Sequence, residues 1–139
     1  MNAEMIEHVR SHPGGVVATV NAHGTPQAAY VAIAITDRGE LIFDAKRDSR
    51  KIANLLGDPR IAIVIGGEDS TTLQCEGTAD MPDGDVLERA ASAYLEAFPQ
   101  FAESLRSGEI VVVRVRPTWA RLSDYRRDPP TITETHVRE

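Results

Sequence analysis

The run Lys46-Arg47-Asp48-Ser49-Arg50-Lys51 places four cations within six residues of a chain whose formal net charge is -6. It follows an apolar, strand-like stretch, Leu41-Ile42-Phe43. It also opens a helical pattern, Ile52-Ala53-Asn54-Leu55-Leu56, which Gly57 and Pro59 bring to an end. A strand feeding a basic, hydroxyl-bearing helix N-terminus suits an anion such as phosphate. Free backbone N–H groups and the helix dipole favour negative charge there, and Arg and Lys add charge-assisted hydrogen bonds. The plainer reading of the same residues is a solvated charged loop with Asp48 or Ser49 as an ordinary N-cap.

Other residues with chemical potential are dispersed. His8, His12, His23 and His136 have no carboxylate or thiol partner at metal-ligand spacing, so no metal site is expected. Cys75, the single cysteine, excludes an internal disulfide and alternates into a strand, where it reads as a small apolar residue rather than a nucleophile. Asp83-Gly84-Asp85 reads as a turn with a helix cap, since a calcium loop needs further ligands. Gly66-Gly67 reads as a loop because nothing helical follows it. No Gly-x-Ser-x-Gly elbow occurs.

The elements that must hold the basic run can be read in order. Residues 2–11 have loose helical spacing and end before Pro13-Gly14-Gly15. Val16–Val20 and Gln27–Ile35 read as strands joined by a turn in which Gly24 takes positive φ, and a third strand spans Glu40–Asp44. Short turns between these three predict an antiparallel meander. After the basic helix, Arg60–Ile65 reads as a strand buried on both faces, and Thr71–Ala79 as a half-buried one. Val86, Leu87, Ala90, Ala93, Tyr94 and Ala97 share one helical face, and a short second helix follows Pro99. Glu109–Arg116 reads as a strand broken at Pro117-Thr118, with Trp119–Tyr125 a final strand. Six to seven strands with two to four peripheral helices are mainly β and fit a small antiparallel barrel. The early connections are too short for parallel crossovers.

At 139 residues one domain is expected, spanning 1–125, with a polar tail over 126–139 that lacks structure unless a partner orders it. The acidic balance argues against general nucleic-acid binding. No apolar run reaches the ~20 residues of a membrane span, and the acidic N-terminus lacks a signal-peptide core. A cytoplasmic protein is the expectation.

The order of apolar strand, Ser49-Arg50-Lys51, Asn54-Leu55, Asp58-Pro59-Arg60 and apolar strand resembles the pyridoxamine 5'-phosphate oxidase-like, FMN-binding split-barrel superfamily. The likeness runs from about Gly15 to Tyr125 and implies a split barrel, FMN as cofactor and a homodimer with flavin at the interface. It implies Ser49, Arg50 and Lys51 as the phosphate clamp. Ring-edge contacts would come from Ala29, Tyr30, Val31 and Ala32, from Asp44 and Ala45, and from Thr71 or Thr72. Trp119 would reach the flavin from the partner subunit, with Arg121 and Tyr125 on the same strand. Against this, Tyr30–Ile33 also read as plain strand core, Thr71 and Thr72 as β-formers on a solvent face, and Trp119 as a core or dimer anchor. The vitamin B6 oxidases of the superfamily carry Arg-Leu-His-Asp-Arg where this chain reads Arg121-Leu122-Ser123-Asp124-Tyr125. The resemblance therefore implies an FMN-dependent oxidoreductase acting on a small molecule other than pyridoxamine phosphate, with reducing equivalents from a nicotinamide. The alternatives are a deazaflavin-dependent reductase of the same fold, or a non-catalytic flavin- or haem-binding protein.

Overall fold

The computed structural model describes residues 1–137. Its elements are α1 (Ala3–Ser11), β1 (Gly14–Val20), β2 (Pro26–Ala32), β3 (Ala34–Ile35), β4 (Leu41–Lys46), α2 (Arg50–Gly57), β5 (Arg60–Gly66) and β6 (Thr71–Asp80). They continue with α3 (Gly84–Ala97), a 3₁₀ turn (Pro99–Phe101), α4 (Ala102–Arg106), β7 (Ile110–Asp124) and β8 (Thr131–His136). The sheet order is β2-β1-β5-β6-β7-β4-β3, with β8 against β7. Every pairing is antiparallel. The two ends of the path, β2 and β3, are one stretch of chain joined through Ile33, so the sheet curls back on itself as a split barrel.

The first hairpin of the expected meander forms in full between β1 and β2, whereas the second holds for only two residue pairs, Ala34–Ile42 and Ile35–Leu41. At Ile33 the chain leaves β4, and its amide donates to the Pro13 carbonyl at 3.3 Å, drawing β2 toward β1. β2 and the far half of β4 then run close together with no ladder between them. That seam is the split in the barrel. It leaves one backbone edge of β2 and the edge of β4 beyond Ile42 without strand partners.

Three other expectations are corrected. Arg60–Ile65 is not buried on both faces: Ile61, Ile63 and Ile65 fill the barrel while Ala62 and Val64 face outward. An antiparallel sheet with one uncovered face gives this alternation. Pro117 does not break the last long strand, because a bulge between Glu76 and Gly77 absorbs it. Gly77 is required there, since a Cβ would sit 2.4 Å from the Arg116 carbonyl oxygen. Finally, Thr131–His136 forms β8, an additional strand covering the half of β7 that β4 does not reach.

The interior is built from Val17, Leu41, Phe43, Ile63, Leu73 and Val113, with α1 closing one end through Met5 and Val9. His8 donates from Nε2 to the Ile65 carbonyl at 2.9 Å, and His12 contacts the Asp69 carboxylate at 3.0 Å and the His8 carbonyl at 2.7 Å. A second apolar cluster lies outside the barrel, where Tyr94 and Ala90 of α3 cover Ile42 and Val112. Helices thus cover the outer face of β3, β4 and the first half of β7. The outer face of β2, β1, β5 and β6 stays bare.

Beside the covered face sits a buried charge network. The Glu40 carboxylate, 7% exposed, accepts from Arg89 at 2.9 Å, Arg114 at 3.0 Å and the Thr36 hydroxyl at 2.9 Å, while Arg114 also forks onto Asp80. Burial alone would raise the Glu40 pKa, but the hydrogen bonds from Arg89, Thr36 and Arg114 outweigh it and the net direction is down. The stabilisation is therefore complete above the ordinary Glu value of about 4.3 and is lost as pH falls through the lower folded value. Glu40→Gln should cost about 3 kcal/mol near neutrality, the low end for a broken buried pair because Arg114 keeps Asp80. The difference from wild type in denaturant midpoint should shrink at pH 3. An unchanged difference there would show that the charge on Glu40 is not what stabilises the fold.

Candidate functional site

α2 begins where the sequence places it, with Ser49 as N-cap; its hydroxyl accepts from the Ile52 amide at 3.5 Å. The cap leaves the Arg50 and Lys51 amides without intrahelical acceptors, the usual state of a helix's first turn. Beside this terminus lies a pocket of about 130 Å³ lined by Thr19, Gln27, Ala28, Ala29, Arg50, Lys51 and Asn54. The basic run divides in space. Arg50 and Lys51 line the pocket, whereas Arg47 turns away to the Gly108 carbonyl at 3.4 Å.

Asn54 fixes this arrangement. Its side-chain amide donates to Thr19 Oγ1 and to Gln27 Oε1, both at 2.9 Å, and it is buried beside Ile52 and Leu55. It ties α2 to β1 and β2 and so holds the two cations against the β2 edge. The sequence pattern alone assigns Asn54 no role; the signal it offers is a polar residue set among the apolar residues of a helix's buried face. Asp58-Pro59-Arg60 is also structural, since Asp58 accepts from the Arg60 amide at 3.1 Å and from its guanidinium at 3.0 and 2.7 Å. Those bonds hold the Asp58 carboxyl down at about 2. Asn54→Ala should cost about 1–3 kcal/mol through the bonds lost to Thr19 and Gln27. It should also weaken anion binding at Arg50 and Lys51, which isothermal titration would read. Unchanged anion affinity would remove Asn54 from the site.

The remaining expected residues separate into two groups. Ala29 lines the pocket, and Tyr30, Val31 and Ala32 continue along the unpaired β2 edge. Asp44 and Ala45 lie across the seam on β4; the Tyr94 hydroxyl donates to the Asp44 carboxylate, and Ala45 is buried. Tyr30 is not strand core: it is 73% exposed on the bare outer face. The second group stands apart. Thr71 points inward with its hydroxyl donating to Asp69 at 2.6 Å, and Thr72 lies opposite Gly66 and Ser123, with β1 and β5 between it and β2. Trp119 belongs to a row of neighbours, Ala28–Ala18–Ala62–Glu76–Trp119, that crosses five strands. Four strand spacings put it roughly 19 Å along the sheet from Ala28. The Arg121 guanidinium stacks on Trp119, 5.3 Å from the ring centroid, and pairs with Glu134 of β8.

A second, larger cleft of about 920 Å³ opens beyond the Ile33 end of β2, between α1, β3 with its following turn, and α3. Cys75, which burial pushes up to about 12, lies in the core away from both pockets. Among the described residues no group of His, Cys, Asp and Glu is arranged to hold a metal ion, and no helix is long and apolar enough to cross a membrane.

The family model for pyridoxamine 5'-phosphate oxidase matches residues 1–124. The chain belongs to that family. Solved structures of similar fold include a haem binding protein from Mycobacterium smegmatis, with a TM-score of 0.80, 24% identity and coverage of 98% of this chain and 59% of that one. This chain therefore spans about three fifths of that protein's length. A conserved hypothetical protein from Mycobacterium tuberculosis gives 0.77 and 23% identity over 100% of this chain and 92% of that one. A pyridoxamine 5'-phosphate oxidase-related, FMN binding protein from Nostoc punctiforme gives 0.70 and 12% over 99% and 94%. At these identities the likeness is one of fold. No functionally curated protein matches. Within the oxidase family the split barrel is thus shared, while the identity of the bound group rests on this chain's own residues.

Proposed function

We propose that this chain is an FMN-dependent oxidoreductase, a homodimer in the cytoplasm, acting on a small molecule other than pyridoxamine phosphate. The observation that carries the reading is the pairing of Arg50 and Lys51 with the free first-turn amides of α2, set beside the unpaired edge of β2. A phosphate suits the cations and amides. An isoalloxazine edge, rich in donors and acceptors, suits the open backbone of Ala29–Ala32 and of Asp44-Ala45 across the seam. Bound there, the flavin would supply hydride-transfer chemistry, with the protein supplying orientation.

Two features support the dimer. Tyr30, Val16 and Val64 are direct cross-strand neighbours, 73%, 40% and 43% exposed, and with Ala28 and Ala62 they make a contiguous apolar patch. Such patches mark contact surfaces. Trp119 lies four strands along the sheet from Ala28, so in this reading the tryptophan beside each flavin comes from the second copy.

The departure from the vitamin B6 oxidases supports a different substrate. In Arg121-Leu122-Ser123-Asp124-Tyr125, Arg121 is engaged by Glu134, Ser123 is 1% exposed, and Asp124 is tied to Arg126. The deazaflavin reading has less support, because the cations at the pocket are a compact pair rather than a broad groove. The haem reading has less still: His8 and His12 are committed to Ile65, His8 and Asp69, and neither His23 nor His136 lines either of the two pockets described above. Anaerobic addition of a reduced nicotinamide to FMN-loaded protein should bleach the flavin absorbance within a catalytic time. Bound flavin that no nicotinamide reduces would support the non-catalytic reading.

A further inference from the structure

The larger cleft lies at the opposite end of β2 from the Arg50–Lys51 pocket, and its walls differ in character. Its apolar surface comes from Val9 and Pro13 on the α1 side, Ile33 and Ile35 on the β3 side, and Ala93 and Ala97 of α3. The two alanines lie one helical turn apart, and their small side chains open the space between α3 and β3. Around this surface the charges cancel. Arg10 is paired with Asp37 at 2.6 Å, and Arg89 is held by Glu40 at 2.9 Å. Arg38 and Glu96, the remaining charged residues of the wall, are of opposite sign. Ser92 contributes a hydroxyl that has no hydrogen-bond partner among the described residues. The volume, about 920 Å³, is that of a small-molecule site.

We propose that this cleft binds an uncharged, largely apolar ring compound carrying one or two hydrogen-bonding groups, and that it discriminates against phosphate monoesters. A dianion entering it would shed water only to find Arg89 already held by the buried Glu40, while the solvent-exposed Arg10–Asp37 pair offers it little. An uncharged ring covers the apolar wall and pays no such desolvation, and a hydroxyl or carbonyl on it reaches Ser92. The site is separate from the anion pocket, so this inference stands whether or not FMN binds there.

A matched pair of probes tests it: 1-naphthol and 1-naphthyl phosphate, titrated calorimetrically into the full chain and into four variants. Ala97→Phe and Ala93→Phe fill the cleft, Ala97 being the more exposed and so the safer for folding. Arg50→Ala/Lys51→Ala removes the anion pocket and separates phosphate binding there from binding in the cleft. 1-Naphthol should bind saturably to the wild type and to Arg50→Ala/Lys51→Ala, and at least tenfold more weakly to both filled variants. In Arg50→Ala/Lys51→Ala, 1-naphthyl phosphate should bind at least tenfold more weakly than 1-naphthol, and Glu96→Lys added to that background should narrow the gap. No 1-naphthol binding, binding that neither filling substitution weakens, or a preference for the phosphate in Arg50→Ala/Lys51→Ala would each overturn the proposal.

Discussion

Replacing Arg50 and Lys51 together by alanine should abolish stable FMN binding while leaving the barrel folded. Both side chains line the small pocket and neither belongs to the apolar core. Each charge-assisted contact to a phosphate contributes roughly 1.5–3 kcal/mol. Losing two therefore costs about 3–6 kcal/mol of binding, a hundredfold or more in the dissociation constant. Ser49 and Asn54 remain in the double variant, so α2 keeps its cap and its ties to Thr19 and Gln27. Stability should stay within about 0.5 kcal/mol of wild type. Fluorescence titration with FMN, paired with a denaturant curve, separates the two effects. Tight flavin binding by the folded double variant would mean that the phosphate sits elsewhere.

The second large effect concerns the bare face of the sheet. Val64→Glu puts a carboxylate at the centre of the row that joins Tyr30 and Val16 to Gln74. The side chain points away from the barrel interior, so the monomer should fold as before. Two copies meeting on this face would bury the charge twice beside Val16 and Gln74, while Arg121, next in the row beyond Gln74, is already paired with Glu134, at a cost of several kcal/mol. Sedimentation velocity should show a dimer for wild type and a monomer for the variant at micromolar concentration. Flavin affinity should fall in parallel if the site proposed at the interface includes the partner's Trp119. A variant that remains dimeric, or a wild type that is monomeric, would place the interface elsewhere or remove it.

The residues that made these arguments possible were unequally visible in the sequence. Alternation of Leu73 and Cys75 against Thr72 and Gln74, and the Gly57–Pro59 stop after α2, were enough for the element order, because local periodicity and turn chemistry act within a few residues. Long-range geometry was not legible. The two-faced burial expected of Arg60–Ile65 failed because Ala62 and Val64, though apolar, lie on the sheet face that no helix of this chain covers. Pro117 looked like a strand end, and only the bulge opposite it at Gly77 explains how the ladder continues. β8 is polar and short, and what orders it is the edge of β7 left free by β4, a consequence of topology alone. At the site, Ser49, Arg50 and Lys51 announced themselves by charge and order, whereas Asn54 showed its role only once Thr19 and Gln27, 35 and 27 residues away, were seen to accept from it. The large cleft has no sequence signature at all, since α1, β3 and α3 meet there from three distant parts of the chain.

The central claim is that this member of the oxidase family holds FMN at Arg50 and Lys51. The most direct measurement is the absorbance spectrum of the freshly purified protein, followed by denaturation and identification of whatever chromophore is released. The account predicts a flavin spectrum and release of FMN at about one per chain, lost in Arg50→Ala/Lys51→Ala. A haem spectrum, a released deazaflavin, or a colourless protein that does not take up added FMN would contradict it.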